Sequence, residues 1–420
     1  MEKRAITHSA NALLPGRGFD EEKLVAPRQA MVTFFSRVAV PPLQTERVPF
    51  ELAAGRVLAE DVFADDDYPS VGRSAMDGFA VRAASTPGSF DIAGDVRMGF
   101  SEVSLAPGRA VRIPTGGALP DGADAVVPIE DATVSGATVR IAQRVDPREN
   151  VIEPGADMRR GERILTAGRR IGAPHVGLFA TLGATEVTVY RQPLVGVLSS
   201  GDEIVAPSQR PRPGEVRDSN RYAIAASLQA MGATVAHFPT LADEEETFDR
   251  GLRAALDECD AIAVTGGSSV GERDRLPAAV AALGEPGVVV HGLRVKPGKP
   301  LLLGAAGGKP ILGLPGNPTS SLMMLEAVAS PIVAALTGAP IVASSVRARL
   351  GEPLRSRLGW TWYVPVALGD EPGAPVAHPL PLRSFSVSLT ARADGYVVMD
   401  ERDDRWAAGT IVTVYRFIGS

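Results

Sequence analysis

The sequence predicts a multidomain α/β and β protein, with one doubly wound α/β domain among β-rich and mixed pieces. Three observations carry this. The chain has 420 residues, more than a single hydrophobic core normally organises. From about residue 193, short apolar runs alternate regularly with helical periods. Near 79–145 and 342–420, short β-prone runs instead alternate with Gly, Pro and Asp turns.

The first 25 residues lack an apolar signal core and read as a loose extension. An amphipathic helix is expected over 27–40, with Met31, Phe34, Phe35 and Val38 on one face and Pro41-Pro42 as its stop. A short helix at 52–55 and a strand at 57–62 follow. Residues 68–80 have no clear period. Short strands at 90–92, 110–113, 125–129 and 138–141 suggest a small barrel or sandwich. A helix at 174–182 and a strand at Glu186–Tyr190 return to mixed structure.

The α/β grammar then begins. A strand at 194–198 leads to a helix at 220–231, which Asp218, Ser219 or Asn220 can cap and Gly232 can end. Next come a strand at 234–238 and a helix at 244–258 with Phe248, Leu252 and Leu256 on one face. The continuous apolar run at 261–264 fits a strand buried on both faces. A helix at Leu276–Leu283 and strands at 288–290, 301–303 and 311–314 precede a long helix at 318–336. The seam of that helix is Leu322, Leu325, Ala329, Ile332 and Leu336, with Asn317 at its N-cap and Pro318 at N1. Strands at 346–350, 360–368, 396–400 and 410–417 close the chain.

A net charge of −6 gives no general electrostatic case for nucleic acid or an anionic membrane, so any anion must be caught locally. No apolar stretch is expected to reach the roughly 18 residues of a membrane span. The single cysteine, Cys259, excludes an internal disulfide and thiolate-rich metal sites, and reads as an inert small hydrophobe that suits a reducing cytoplasm. None of the five histidines forms a pair with metal-ligand spacing on a helix.

Chemistry concentrates in four turns that follow or join strands. They are 199–203 (Ser-Ser-Gly-Asp-Glu), 265–271 (Thr-Gly-Gly-Ser-Ser-Val-Gly) with Asp274 beyond it, 296–300 (Lys-Pro-Gly-Lys-Pro) and 314–318 (Leu-Pro-Gly-Asn-Pro). In an open α/β sheet ligands bind beyond the carboxyl ends of the strands, so the four turns are expected to converge. Glycines 266, 267 and 271 with Ser268 and Ser269 let the backbone form an anion-binding nest, although many such turns hold no ligand. Pro297 and Pro300 stiffen the loop that carries Lys296 and Lys299, so those ammonium groups lose less entropy on catching an anion than solvated lysines do. Asp202 and Glu203 suit Mg²⁺, which takes one or two carboxylates plus substrate phosphates. Either suits a helix cap equally well, and a cap is the better reading of Asp274 taken alone.

These motifs together resemble the molybdopterin molybdenumtransferases, the bacterial MoeA proteins and the equivalent domain of gephyrin. The likeness runs from about 26 to 420 in motif order. It includes 74–78 (Ser-Ala-Met-Asp-Gly), 114–118 (Pro-Thr-Gly-Gly-Ala), 120–124 (Pro-Asp-Gly-Ala-Asp), 155–157 (Gly-Ala-Asp), 218–221 (Asp-Ser-Asn-Arg) and the four central turns.

The resemblance implies a discontinuous linking domain (26–70 and 153–190), an inserted β domain (71–152), an α/β molybdopterin-binding domain (191–340) and a C-terminal β-barrel-like domain (341–420). It implies a cytoplasmic homodimer whose active cleft is built from both subunits, with transient contacts to other molybdenum cofactor proteins or molybdoenzymes. The implied reaction cleaves adenylylated molybdopterin and inserts molybdate at its dithiolene, with Mg²⁺, releasing AMP and molybdenum cofactor. By motif, Asp202, Glu203 and Asp274 would handle the metal and phosphate end, with Asp77 reaching in from the other subunit. Asp157 and Thr115 would line the same cleft. Lys296, Lys299 and Ser320 would face the oxyanion. The 266–271 loop, with Asp218, Pro315, Asn317 and Ser384, would hold the pterin substrate.

The chain departs from the family at Ser268 and Ala156, where a hydrophobic residue and Glu are usual. It departs further at Trp360 and Pro365, which stand where arginines are usual. The usual Gly-Ser is Arg383-Ser384 here, and Arg383 is the candidate replacement for the lost charge. Two functions stay open: the inserting enzyme, and a pterin-binding or scaffolding relative without insertion activity.

Overall fold

A computed structural model describes residues 19–99, 104–267, 275–341, 343–371 and 374–419. The chain forms two units, one of residues 48–54 and 58–187, the other of 1–47, 55–57 and 188–420.

The smaller unit is built on a six-stranded sheet in the order Ala125–Pro128, Gly78–Val81, Arg109–Ile113, Gly88–Asp95, Thr138–Ile141, Ala132–Ser135. Its strands alternate sides as the pleat requires. Phe79, Val81, Phe90, Val139 and Ile141 fill one apolar cluster, while Ala80, Val111, Ile113 and Val126 fill another. Gly78–Val81 is buried along its whole length and so shows no alternation, which is why residues 68–80 carried no readable period. The strand expected at 57–62 is reduced to Val62–Phe63, which pairs with Arg163–Leu165. The helix expected at 52–55 is a single 3₁₀ turn at Phe50–Leu52.

The larger unit holds the α/β domain. Its sheet runs Thr234–His237, Leu194–Ser199, Ala261–Thr265, Lys309–Leu314, Leu302–Ala306, Pro286–His291. The first four strands are parallel, and Leu302–Ala306 runs antiparallel to both of its neighbours. Helices cover both faces. Ala30, Phe34, Ile224, Leu228 and Met323 pack on one side, and Phe248, Leu252, Leu276 and Val280 on the other. The N-terminal helix is Pro27–Arg37, shorter than expected, and its buried face is Ala30, Phe34 and Val38, whereas Phe35 is exposed. Ahead of it, residues 19–25 are docked rather than loose. Leu24 is buried, Val25 bridges Leu293, and the Arg294 guanidinium donates to the Leu24 carbonyl at 2.7 Å.

The long helix expected at 318–336 is present but not uniform. It runs as Pro318–Met324, a π segment Leu325–Ala329 and Ser330–Thr337. Pro331 has no N–H to give to the turn before it, and a proline at that place opens the ladder. At 20 residues and a mean hydropathy of 1.5, Pro318–Thr337 is long and apolar enough to span a membrane, contrary to the expectation that no stretch would be. Ile332, Val333 and Leu336 instead sit in the domain core.

Beyond the α/β domain, Thr361–Glu371, Ala374–Pro379, Ser345–Leu350, Ile411–Tyr415 and Gly395–Met399 pair in turn. Gly395–Met399 also pairs back to Thr361–Glu371, closing a five-stranded barrel. Val364, Val366, Val397, Val412 and Val414 fill its interior. Ala374–Pro379 and the helix Val387–Arg392 were not legible in the sequence.

Candidate functional site

Three parallel strands, Leu194–Ser199, Ala261–Thr265 and Lys309–Leu314, end at a common edge. The turns that follow them wall a cleft of about 720 Å³. Ser199, Ser200 and Glu203 come from the first turn, Gly266 and Gly267 from the second, and Pro315, Asn317 and Ser320 from the third. Asp218, Ser219 and Asn220 reach it from the start of the helix Asn220–Ala230, and Phe385 and Val387 from the C-terminal domain. Among the described residues, parts of all four turns meet here, with Pro300 coming from the lysine loop.

Local chemistry explains each wall. Gly266 and Gly267 adopt φ of +94° and +64°, and a Cβ on Gly266 would lie 2.8 Å from the Ser200 hydroxyl, so only glycine fits there. The Gly266 N–H donates to the Leu314 carbonyl at 3.1 Å. Gly266 therefore shapes the turn and has no N–H left for an anion. Ser268, Ser269, Gly271 and Asp274 lie outside the described residues. Asn220 donates to the Gly316 carbonyl at 2.7 Å, tying two walls together. Asn317 occupies the N-cap position, but its side-chain amide donates to the Ser384 hydroxyl at 3.3 Å and does not cap the helix. Thr319 donates its backbone N–H to the Ser384 carbonyl at 3.1 Å, so the barrel domain and the helix start hold each other.

The carboxylates are not equivalent. Glu203 lines the cleft, while Asp202 does not and accepts the Asp243 N–H at 3.1 Å. Asp218 is paired with Arg221 at 2.9 Å and is 7% exposed, so its charge is already balanced. Among the described residues no group of three or more His, Cys, Asp or Glu is gathered for a metal. Glu203 and Asp243 leave two carboxylates at the cleft, a donor set that fits a hydrated Mg²⁺ completed by phosphate oxygens.

A second cavity, about 460 Å³, is lined by Lys296, Lys299, Arg357, Glu21, Trp360, Trp362 and Ser384. It shares Pro300, Asn317 and Ser320 with the larger cleft. The strand Val295–Lys296 pairs in parallel with Thr361–Glu371, placing Lys296 opposite Trp362. The Lys296 ammonium lies 4.2 Å from the Trp362 ring centroid, and the Lys299 ammonium 5.3 Å from that of Trp360. The Arg357 guanidinium is 5.0 Å from the Trp360 ring. These are cation–π distances. Lys296 reaches solvent, yet partial burial of its ammonium lowers its pKa from the ordinary lysine value. The Trp362 indole N–H is buried with no hydrogen-bond partner among the described residues. Such a donor is costly to leave unmade.

In the smaller unit, Asp77 and Thr115 meet. Gly78 pairs with Ile113, which brings Asp77 beside the turn that follows Ile113. The Asp77 carboxylate accepts the Thr115 N–H at 2.6 Å and its hydroxyl at 3.0 Å, which holds the Asp77 pKa below the usual carboxylate value. Asp157 is exposed in a turn fixed by its own N–H to the Tyr68 carbonyl at 2.9 Å.

Sequence reasoning missed Glu21 and Arg357, and read Trp360 only as a lost arginine. Arg383, the candidate replacement for that charge, does not line the cavity, whereas Arg357 does. The available signal was the Trp-x-Trp spacing at the start of the strand Thr361–Glu371.

The sheet-edge cleft and the cationic cavity adjoin in an α/β domain that a closed barrel follows. Residues 25–183 match the MoeA N-terminal region (domain I and II), 196–335 a probable molybdopterin binding domain, and 347–417 the MoeA C-terminal region (domain IV). A molybdopterin molybdenumtransferase of Haemophilus influenzae is 35% identical over 301 residues, 71% of this chain and 74% of that one. One of Bacillus subtilis is 32% identical over 388 residues, 88% and 89% of the two chains. A solved MoeA protein of Pyrococcus horikosii superposes with a TM-score of 0.79 at 30% identity, covering 95% of this chain and 100% of that one. One from Pyrococcus horikoshii OT3 gives 0.83 at 25% identity, covering 94% and 100%. The chain belongs to the MoeA family.

Proposed function

We propose that this chain cleaves adenylylated molybdopterin and inserts molybdate at its dithiolene, releasing AMP and molybdenum cofactor. The observation that carries the reading is the pair of adjoining cavities with shared walls at Pro300, Asn317 and Ser320. The larger one suits the pterin phosphate and adenylate, and the smaller a tetrahedral oxyanion. Lys296 and Lys299 neutralise the oxyanion from a stiff loop, and the buried Ser320 stands between the two ligands. Glu203, with Asp202 and Asp274, would hold Mg²⁺, which when bound offsets phosphate charge at the adenylate bond. Asp77 reaches the cleft from a second copy of the chain, and Thr115 and Asp157 line the same cleft, in a cytoplasmic homodimer with the domain boundaries given above. The ionised state of Asp77, secured by Thr115, suits a role against a cation or a donor on the substrate.

The test is AMP release by purified protein given adenylylated molybdopterin. Release should require both molybdate and Mg²⁺. Replacing Lys299→Ala removes one charge-assisted contact, worth about 1.5–3 kcal/mol, and should raise the molybdate requirement at least tenfold. Binding of the adenylylated pterin with no AMP release under any condition favours the scaffolding relative instead.

A further inference from the structure

The lysine cavity contains a third cation and its resident counter-ion. Arg357 lies across the Trp360 ring and makes a two-point bond to Glu21, at 3.0 and 2.8 Å. Glu21 lies 336 residues away in sequence, on the docked segment before the first helix. Leu24, Val25 and Phe19, whose ring meets that of His291 at 5.0 Å, fix that segment. Its backbone is thus anchored while the Glu21 carboxylate remains 51% exposed and Arg357 58% exposed. A solvent-exposed ion pair of this kind is worth only about 0–1 kcal/mol, so breaking it costs little.

The formal charges of the cavity are Lys296, Lys299 and Arg357 against Glu21, three positive and one negative, a net +2. That is equal and opposite to the charge of a tetrahedral dianion. We propose that Arg357 binds the oxyanion in this cavity, and that Glu21 is a displaceable internal competitor for its guanidinium. A planar guanidinium matches two oxygens of one anion. An oxyanion entering beside the two lysines takes those two bonds, and Glu21 turns to solvent. A monoanion gains less from the same exchange, so Glu21 raises the charge that a ligand needs. The inference rests on the oxyanion reading of the lysine cavity and adds to it a binding residue and a gatekeeping carboxylate.

Equilibrium dialysis of the full-length protein against inorganic molybdate at fixed ionic strength, with bound molybdenum measured, tests this. Arg357→Gln should weaken binding about tenfold. Glu21→Gln should tighten it about threefold, because the competitor is gone while the segment stays docked. Both variants break the same ion pair, so a structural role would move them in the same direction, and opposite directions are the signature of competition. If Lys299→Ala loses binding but Arg357→Gln does not, or if Glu21→Gln also weakens it, the inference is overturned and the oxyanion reading survives. If the unmodified protein binds no molybdate, both are overturned together.

Discussion

Glu326 offers a stability test with a sign and a size. It sits in the π segment of the long helix and is 5% exposed. Its carboxylate accepts the Ser227 hydroxyl at 2.8 Å and the Ile418 N–H at 3.0 Å, tying that helix to the helix Asn220–Ala230 and to the end of the chain. Burial outweighs both bonds and pushes its pKa from 4.5 up to about 7. The folded value lies above the unfolded one, so the carboxyl's contribution to stability is complete below about pH 4.5 and is lost as pH rises through 7. At 1.36 kcal/mol per pH unit, the loss is about 3 kcal/mol. Glu326→Gln keeps the shape and removes the titration. Relative to the variant, the unmodified protein should therefore lose about 3 kcal/mol between pH 4.5 and 8, or about 6–12 °C in melting temperature for a unit of this size. Thermal melts of both proteins across that range read the difference directly. Parallel pH profiles would refute the reasoning, because they would mean that Glu326 is solvated or already paired with a cation.

Two further outcomes follow from the same packing. Gly298 holds the lysine loop at φ +108°, and a Cβ there would run into the Met324 side chain. Gly298→Ala should cost about 2–4 kcal/mol through a left-handed backbone and an overpacked core. It should also raise the molybdate requirement, and adding Met324→Ala should recover part of the thermal stability, since only the clash is relieved. Cys259 is buried at a helix end with its thiol pushed up to about 11, so about one molecule in a thousand carries a thiolate at pH 8. Thiol titration with a disulfide reagent should find none in the native protein and one after denaturation, and rapid native labelling would contradict the burial.

Much of the α/β domain was legible because its strands are short apolar runs buried on both faces, as at Ala261–Thr265. Strand direction was not legible. Leu302–Ala306 and Lys309–Leu314 form an antiparallel hairpin turned by Gly307 and Gly308, both at positive φ, although they lie inside an alternating β-α sequence. Nor was the π segment, since its apolar seam continues through it. Phe35 fits the helical period as well as Phe34 does, but tertiary packing leaves it exposed. In the site, the lysine loop and the Gly-rich turns were legible because proline fixes the backbone locally and glycine admits conformations closed to other residues. Trp360 was read as a missing arginine, whereas its ring lies beneath Lys299 and Arg357. Local patterning could not reveal Glu21 beside Arg357, because nothing but the fold brings residues 336 apart together.

The two cavities differ in charge, and on the function proposed above that difference would account for a metal at one end only. Among its described walls, the larger cleft has three carboxylates, Glu203, Asp218 and Asp243, and one cation, Arg217. Arg221 balances Asp218, so Glu203 and Asp243 outweigh Arg217 by one negative charge. A phosphate ester brought there meets repulsion unless a cation accompanies it, and carboxylate oxygens with phosphate oxygens are the ligands that Mg²⁺ prefers. The smaller cavity carries the opposite excess and can take a bare oxyanion with no metal. Exchanging the two ligands would be unfavourable at both ends. Because Pro300, Asn317 and Ser320 belong to both walls, two anions so placed would each keep to one side within reach of the other. On the proposed function, charge would thus order the two substrates before any chemistry begins, with the Trp-supported cations and their Glu21 counter-ion at the oxyanion end.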